Sequence, residues 1–473
     1  MLPDPDRLWE TIRSREAEQM INDMTAGSPV KHLIRFAVPI LLGNLFQQLY
    51  SVVDGMVLGR GVGVDALAAV GAAAAANSLV LGFITGLTHG YSILAAQHFG
   101  AGDHPGIRRT AANSVCLTLG CSALITLLGL LSSRPLLGRL NTPADILENA
   151  LLYIRIIFAG LTAPELYNML SGILRALGDS VSPLIILIVS SVMNVGLDVL
   201  FVVAFRWGVA GAAAATVLSQ TASAFLCFFI LRRLELMKFR PGDWAIDGAL
   251  IGQLLRLGLP VGLMHSITAM GTMLLQSTVN GLGSIAVAAY ATGSKIMLLA
   301  IQPGDILGLA LGTYVGQNLG AGRLDRIRQG MRRALAVSVG LNAAIGLAMA
   351  VFGRELTALF VSCTERAVID AAYPYLAITG AGVWIAGLLF LYRTPLQSLG
   401  DTVTPMLSGI VELGMRVGTV LVLSRRFRLG FYAVCFAEVA AWAGAAVLLM
   451  AGFYIRLHRL GRPVRQPGPR DGV

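Results

Sequence analysis

Two aspartates, Asp54 and Asp198, stand inside long apolar stretches of the chain, and Asn194 lies one helical turn before Asp198. A carboxylate at mid-membrane costs at least ~2.5 kcal/mol, so an acid kept there is a candidate site by default. If spans one, four, five and six cover residues 31–59, 145–176, 181–205 and 208–231, then Asp54, Tyr153, Asp198 and Thr216 share one depth. Each is roughly 4 to 8 residues from an outer end, about 6 to 12 Å below the outer surface. Two carboxyls, an amide, a phenol and a hydroxyl form the oxygen-rich set that holds a proton or a sodium ion. Asp54, Asn194, Asp198 and Thr216 are the expected sodium contacts. A structural alternative stands beside this: Asn194 tying helices, Asp54 in the headgroup layer, Tyr153 as an interface anchor.

Further polar residues fall at membrane depth. Glu412 and Arg416, spaced i, i+4, would neutralise each other on one helix face. Glu165, Lys295, Asp305, Arg393 and Glu438, with Gln276 and Asn280 of the seventh span, are candidates to line a central cleft, because charges within spans face the interior or water. The acids Glu165, Asp305 and Glu438 predict a preference for cationic or neutral amphipathic substrates, which Lys295 and Arg393 weaken. No catalytic constellation, phosphate-binding loop or metal-ligand spacing is present, so enzymatic chemistry, ATP drive and a cofactor are not expected. Cys116, Cys121, Cys227, Cys363 and Cys435 are scattered without a paired spacing.

The elements that must hold these residues follow from composition. The 473 residues are 55% hydrophobic and 13% charged, with mean hydropathy +0.72, which places the bulk of the chain in lipid. Apolar runs of about 20 residues match a hydrocarbon core of ~30 Å, so helices are the spanning element. The net charge of +10 does not imply nucleic acid. Arg108, Arg109, Arg232, Arg233, Lys238, Arg240, then Arg323 to Arg333 and Arg456 to Arg470 occupy alternate loops, the positive-inside pattern. That predicts an all-α integral membrane protein with about twelve spans, both termini cytoplasmic, in the inner membrane of a bacterium or archaeon. The first 30 residues mix acids and bases and read as a cytoplasmic lead-in rather than a cleaved signal.

The chain also matches itself at a shift of 220 to 222 residues. Gln97-His98-Phe99-Gly100-Ala101-Gly102 returns as Gln317-Asn318-Leu319-Gly320-Ala321-Gly322, and Leu177-Gly178-Asp179 as Leu399-Gly400-Asp401. Pro39 pairs with Pro260 one residue off that register. Six spans return the chain to its starting side, so the copies share an orientation about a pseudo-two-fold axis along the membrane normal. The expected organisation is an N-terminal segment (1–30), a six-helix lobe (31–231), a linker (232–248), a second six-helix lobe (249–457) and a basic tail (458–473). Both duplicated motifs read as helix caps and tight turns.

Taken together, Leu49-Tyr50-Ser51-Val52-Val53-Asp54, the doubled Gly-Ala-Gly turns, Asn194-Val195-Gly196-Leu197-Asp198 and the doubled Leu-Gly-Asp motifs resemble the MATE (multidrug and toxic compound extrusion) family along nearly the whole chain. The resemblance implies export of organic cations in exchange for protons or sodium, by a monomer, without a further cofactor. It implies that Asp54, Asn194, Asp198, Tyr153 and Thr216 match the N-terminal-lobe cation site, and that Pro39 matches a proline at which the first helix bends. Many relatives carry Pro after the Asp of the fifth span; here it is Val199, a change expected to affect the local bend. Where some branches have an acid in the seventh span, this chain has His265, Gln276 and Asn280, which favours the branch using the N-terminal lobe. The competing readings are a lipid or lipid-linked oligosaccharide flippase of the same superfamily, whose cleft should be rich in Arg and Lys, and a channel or receptor.

Overall fold

A computed structural model describes residues 21–139, 142–361 and 365–461. The helices are α1 (Pro29–Gly61), α2 (Val64–Gly100), α3 (His104–Arg139), α4 in two arms (Ala144–Ala159 and Thr162–Ala176), α5 (Val181–Asp198) and α6 (Gly208–Arg233). After a linker with two 3-10 turns come α7 (Gly248–Asn280), α8 (Ser284–Gly320), α9 (Leu324–Ala358), α10 (Arg366–Ser398), α11 (Val403–Arg426) and α12 (Phe431–Leu460). Eleven of these are long and apolar enough to cross a bilayer, and the two arms of α4, bent by 46°, complete the twelfth. The fourth span was expected to be one helix. Gly160 and Leu161 interrupt it, with Pro164 in the first turn of the second arm.

The helices bury the residues a soluble protein would expose. In α3, Thr110, Ser114, Thr118 and Ser122 recur every four residues on the buried face, whereas Leu124, Leu127, Leu128 and Leu131 are exposed. Small polar residues let helices approach closely where lipid is the solvent, and the leucines meet the acyl chains.

The two-fold repeat is explicit in the packing and the backbone. In the first lobe α2, α3 and α6 pack on α4, α1 on α5 and α5 on α6; in the second α8, α9 and α12 pack on α10, α7 on α11 and α11 on α12. The positive φ angles pair likewise: Gly102 and Gly322 at 69° each, Gly178 and Gly400 at 84° and 80°, Arg206 and Arg428 at 57° and 55°. These turns need the left-handed region, which glycine enters at no steric cost. Asp179 caps α5 by accepting from the Val181 and Ser182 N–H groups at 3.0 and 2.9 Å, and Asp401 accepts from Thr404 at 3.0 Å. Asp179 is buried as well, at 3% exposed.

Between the lobes, α2 packs on α7 and α8, and α1 on α8. At the α2/α7 crossing a Cβ on Gly86 would stand 2.7 Å from Gly262 Cα, and Gly90 meets Gly258 in the same way. The glycines allow backbone-to-backbone contact.

Candidate functional site

The first lobe gathers Asp54 of α1, Asn194 and Asp198 of α5, Thr216 of α6 and Tyr153 of α4. The local folding explains each position. α1 turns Leu42, Leu45, Leu49, Val52 and Met56 outward, which leaves Asp54 on the flank facing α5. Asp198 is the last α-helical residue of α5, and the helix widens into a π-helical stretch, Val199–Ala204, immediately after it. Val199 opens this stretch, and π-turns are frequent at functional positions.

Asp54 and Asp198 come within hydrogen-bonding range of each other. Asp198 is fully buried and Asn194 is 1% exposed. With its amide set to satisfy both neighbours, Asn194 donates to Asp198 Oδ2 (3.0 Å) and accepts from the Thr216 N–H (3.3 Å). The Thr216 hydroxyl donates to the Ala212 carbonyl at 3.0 Å. Tyr50, one turn before Asp54, is hydrogen-bonded to Thr216, and Tyr50 and Tyr153 both stand near the two acids. Asp54 Oδ1 and Asp198 Oδ1 are buried without a protein donor. Two touching carboxyls cannot both carry charge unless a proton or cation lies between them. A polar cavity of about 20 Å³, lined by Gln47, Tyr50, Asn194, Ser190 and Gln220 among others, adjoins the site and has room for about one water. Tyr50 and this cavity were missed from sequence; the i, i+4 spacing of Tyr50 and Asp54 was the available signal.

The second lobe holds a larger cavity of about 510 Å³ reaching α7, α8, α10, α11 and α12. Of the candidate cleft residues, Gln276, Arg393, Glu412, Arg416 and Glu438 line it. Asn280 is instead paired with Gln276 (2.9 Å), Asp305 is exposed on α8, and Glu165 is buried in the first lobe near Tyr91 and Cys121, both its oxygens without donors. Glu412 and Arg416 do not simply neutralise each other. Their contact is 3.8 Å, whereas Glu412 is bonded to Arg393 and Arg416 to Glu438 at 3.1 Å. The acid excess that suggested a cationic substrate is therefore reduced: Glu438 is paired and Glu165 is elsewhere.

The Gln-x-x-Gly-Ala-Gly motifs do more than cap helices. Gln97 donates to the Ser398 carbonyl of α10 (2.8 Å), and Gln317 donates to the Ala176 carbonyl of α4 (2.9 Å). Each glutamine thus ties its lobe to the other. Gly100 lies against the Gln317 backbone and Gly320 against that of Gln97. The segment before α1 adds a strap: Ile21 packs on the first-lobe core and Met24 in the second-lobe core. Gln317 accepts from the Met24 N–H at 2.9 Å, while Arg326 and Asn318 donate to the Met24 carbonyl, both at 3.1 Å. Asp54 is near the end of α1 remote from these turns, and the larger cavity runs from Tyr290 near the start of α8 to Arg393, five residues before Ser398 on α10.

Among the described residues no cluster of three or more His, Cys, Asp or Glu could hold a metal. Two carboxyls with an amide and a hydroxyl beside them offer the oxygen set that can take up a proton or a sodium ion.

The MatE family model matches residues 39–200 and 260–421, one stretch in each copy of the repeat. The probable multidrug resistance protein YoeA of Bacillus subtilis (strain 168) is 29% identical over 428 residues, 89% of this chain and 92% of that protein. The probable multidrug resistance protein YpnP of the same organism is 31% identical over 354 residues, 74% of this chain and 79% of that protein. A crystal structure of MATE in the bent conformation superposes with a TM-score of 0.86 at 23% identity, covering 94% of this chain and 98% of that one, a likeness of fold.

Proposed function

Since this chain belongs to the MatE family, we propose that it exports small organic amphiphiles in exchange for protons or sodium moving inward, by alternating access of its two lobes. The observation that carries the reading is the contact between Asp54 and Asp198, carboxyls from two helices whose charges require a proton or cation between them. Binding that ion draws α1 and α5 together, and releasing it separates two like charges, so occupancy biases the shape of the first lobe. The multidrug names of YoeA and YpnP support export as the direction. In this reading the Gly-Ala-Gly turns and both termini face the cytoplasm, and the glutamine ties close that side.

The test is uptake of a fluorescent organic cation into inverted vesicles under an imposed pH or sodium gradient. Accumulation that collapses with one of the two gradients identifies the coupling ion. Uptake no greater than in vesicles without the protein, under either gradient, overturns the reading.

A further inference from the structure

We propose that Glu165, with Tyr91 and Cys121 beside it, is a second proton-binding site of the first lobe, reached from the side of the Gly-Ala-Gly turns along the hydroxyls of Thr110, Ser114 and Thr118. Its use in the cycle rests on the transport reading, but the site itself does not.

Glu165 stands in the first turn of the second arm of α4. It is 1% exposed, and neither carboxyl oxygen has a hydrogen-bond partner. α2, α3 and α6 pack on this arm. From α2 and α3 they bring Tyr91 and Cys121 near enough to sense a charge on Glu165. Tyr91 is fully buried, and its hydroxyl, beside the Cys121 thiol, is also unpartnered. The other buried ionisable groups of these helices lie elsewhere: His89 of α2, Tyr167 of α4 and Cys227 of α6 are grouped around Arg175. Among the described residues no cation pairs with Glu165. A carboxylate without a donor or a counter-charge is costly in such a setting, so an unpartnered Glu165 carries a proton.

The surroundings also provide for release of that proton. The first turn of a helix favours a negative charge, and Glu165 enters that turn because α4 is bent by 46° just before it. On α3, Thr110, Ser114 and Thr118 follow one another at helical-turn spacing, all buried, each hydroxyl without a partner. The row starts near the Gly102 turn and ends one turn from Cys121. Water bridging such hydroxyls satisfies them and forms a relay for a proton. Only the O–H bond of the carboxyl breaks, and the proton leaves to the first water of the row. The first arm of α4 carries Tyr153 near Asp54 and Asp198, and the second carries Glu165. A change of charge on Glu165 acts on the bend between the arms, so the two proton sites of the lobe communicate through α4.

The experiment is infrared difference spectroscopy of the full chain in lipid vesicles, stepped between about pH 6 and pH 9, above the range in which exposed carboxyls titrate. The wild type should lose a protonated-carboxyl band on the step to alkaline pH. Glu165→Gln should remove that band, and Asp198→Asn should leave it in place. Tyr91→Phe should shift its frequency, and Thr118→Val should slow its exchange for deuterium severalfold. A difference spectrum that Glu165→Gln leaves unchanged, or a band that neither Tyr91→Phe nor Thr118→Val alters, overturns the assignment. If Glu165→Gln fails to insert into vesicles, Glu165→Asp decides: the band should move, and an unmoved band overturns the site. Gradient-driven uptake with an unchanged spectrum in Glu165→Gln refutes this site alone, whereas a band lost in Glu165→Gln without gradient-driven uptake by the wild type refutes only the transport reading.

Discussion

Gln97 donates to the carbonyl of Ser398 at 2.8 Å, from α2 of one lobe to the end of α10 in the other, and Gln317 makes the mirrored bond to Ala176. Two symmetry-related bonds at one end of the bundle must both break for the lobes to separate there. Each is worth about 1 kcal/mol net, or about fivefold in population. Gln97→Ala and Gln317→Ala should each raise the separated population by about that factor, and the double variant by more. Spin labels at the exposed positions His104 and Asp325 report the distance between the two turns. An unchanged distance distribution in the double variant would leave these bonds without a gating role.

Asp54→Asn and Asp198→Asn should each abolish gradient-driven uptake while leaving expression and membrane insertion intact, because an amide cannot exchange the proton or balance the cation. Tyr50→Phe, which removes the hydroxyl bonded to Thr216, should lower the rate severalfold without abolishing it. Uptake at the wild-type rate by both Asn variants would sink the coupling role of the pair.

The acids of the first lobe were legible because a carboxylate in an apolar helix is expensive enough to need a reason, and Asn194 and Asp198 share a helix, so spacing alone fixed their common face. The repeat was legible because its glycines and aspartates punctuate the same turns twice. What escaped depends on how separate helices dock. Arg393, Glu412 and Glu438 are on three helices, and nothing in the spacing says that Arg416 should turn to Glu438 rather than to Glu412 one turn away. The glutamine ties were hidden for the same reason: Gln97 looks like a piece of a cap until α10 is set beside it. The break in α4, within a span read as continuous over 145–176, had a signal in Gly160 and Pro164, whereas the π-helical stretch after Asp198 carries no such mark.

The linker offers a pH-dependent contact outside the membrane. Asp243 forms a 2.9 Å ion pair with Arg108 and accepts from the Arg240 N–H at 2.8 Å. Burial pushes its carboxyl up, but these donors outweigh it and hold it below the usual carboxylate range. A carboxyl lowered on folding contributes stability fully above its ordinary value of about 4, and loses it as pH falls through the lower folded value. The protection of residues 234–247 against hydrogen exchange, taken relative to the intrinsic rate at each pH, should thus be full at neutral pH and fall only below about pH 4. Asp243→Asn should exchange about tenfold faster at neutral pH, corresponding to a lost charged hydrogen bond of about 1 to 2 kcal/mol, with little further change on acidification. Equal protection of wild type and variant at neutral pH would show that the ion pair does not hold the linker.

The packing of α1 gives Pro39 a specific mechanical setting. Before the proline, Leu33 and Phe36 belong to the second-lobe core, while near the other end Leu58 packs with Val202 and Val209 of the first lobe. α1 also bonds the second lobe through Asn44 to Gln302 at 2.9 Å, just beyond Pro39. α7 repeats the arrangement around Pro260, with Leu254 in the first-lobe core and Leu275 in the second. Each helix therefore spans the boundary across which the lobes must move, with a proline near the changeover. An interior proline removes the bond to the carbonyl four residues earlier, that of Arg35, and lowers the cost of bending there. Fifteen residues cover ~22 Å, so a change of ~10° at Pro39 displaces Asp54 by ~4 Å. That is enough to pull the touching carboxyls of Asp54 and Asp198 apart. A label pair from α1 near Asp54 to α5 should show two distances in wild type, their ratio shifting as the acid pair titrates, and a single distance with slowed transport in Pro39→Ala. Restoring the Arg35 bond stiffens the helix by about one hydrogen bond, so the variant should retain its fold. A wild-type distance constant across pH, or full transport by Pro39→Ala, would make the proline a fixed kink and require the lobes to move about another joint.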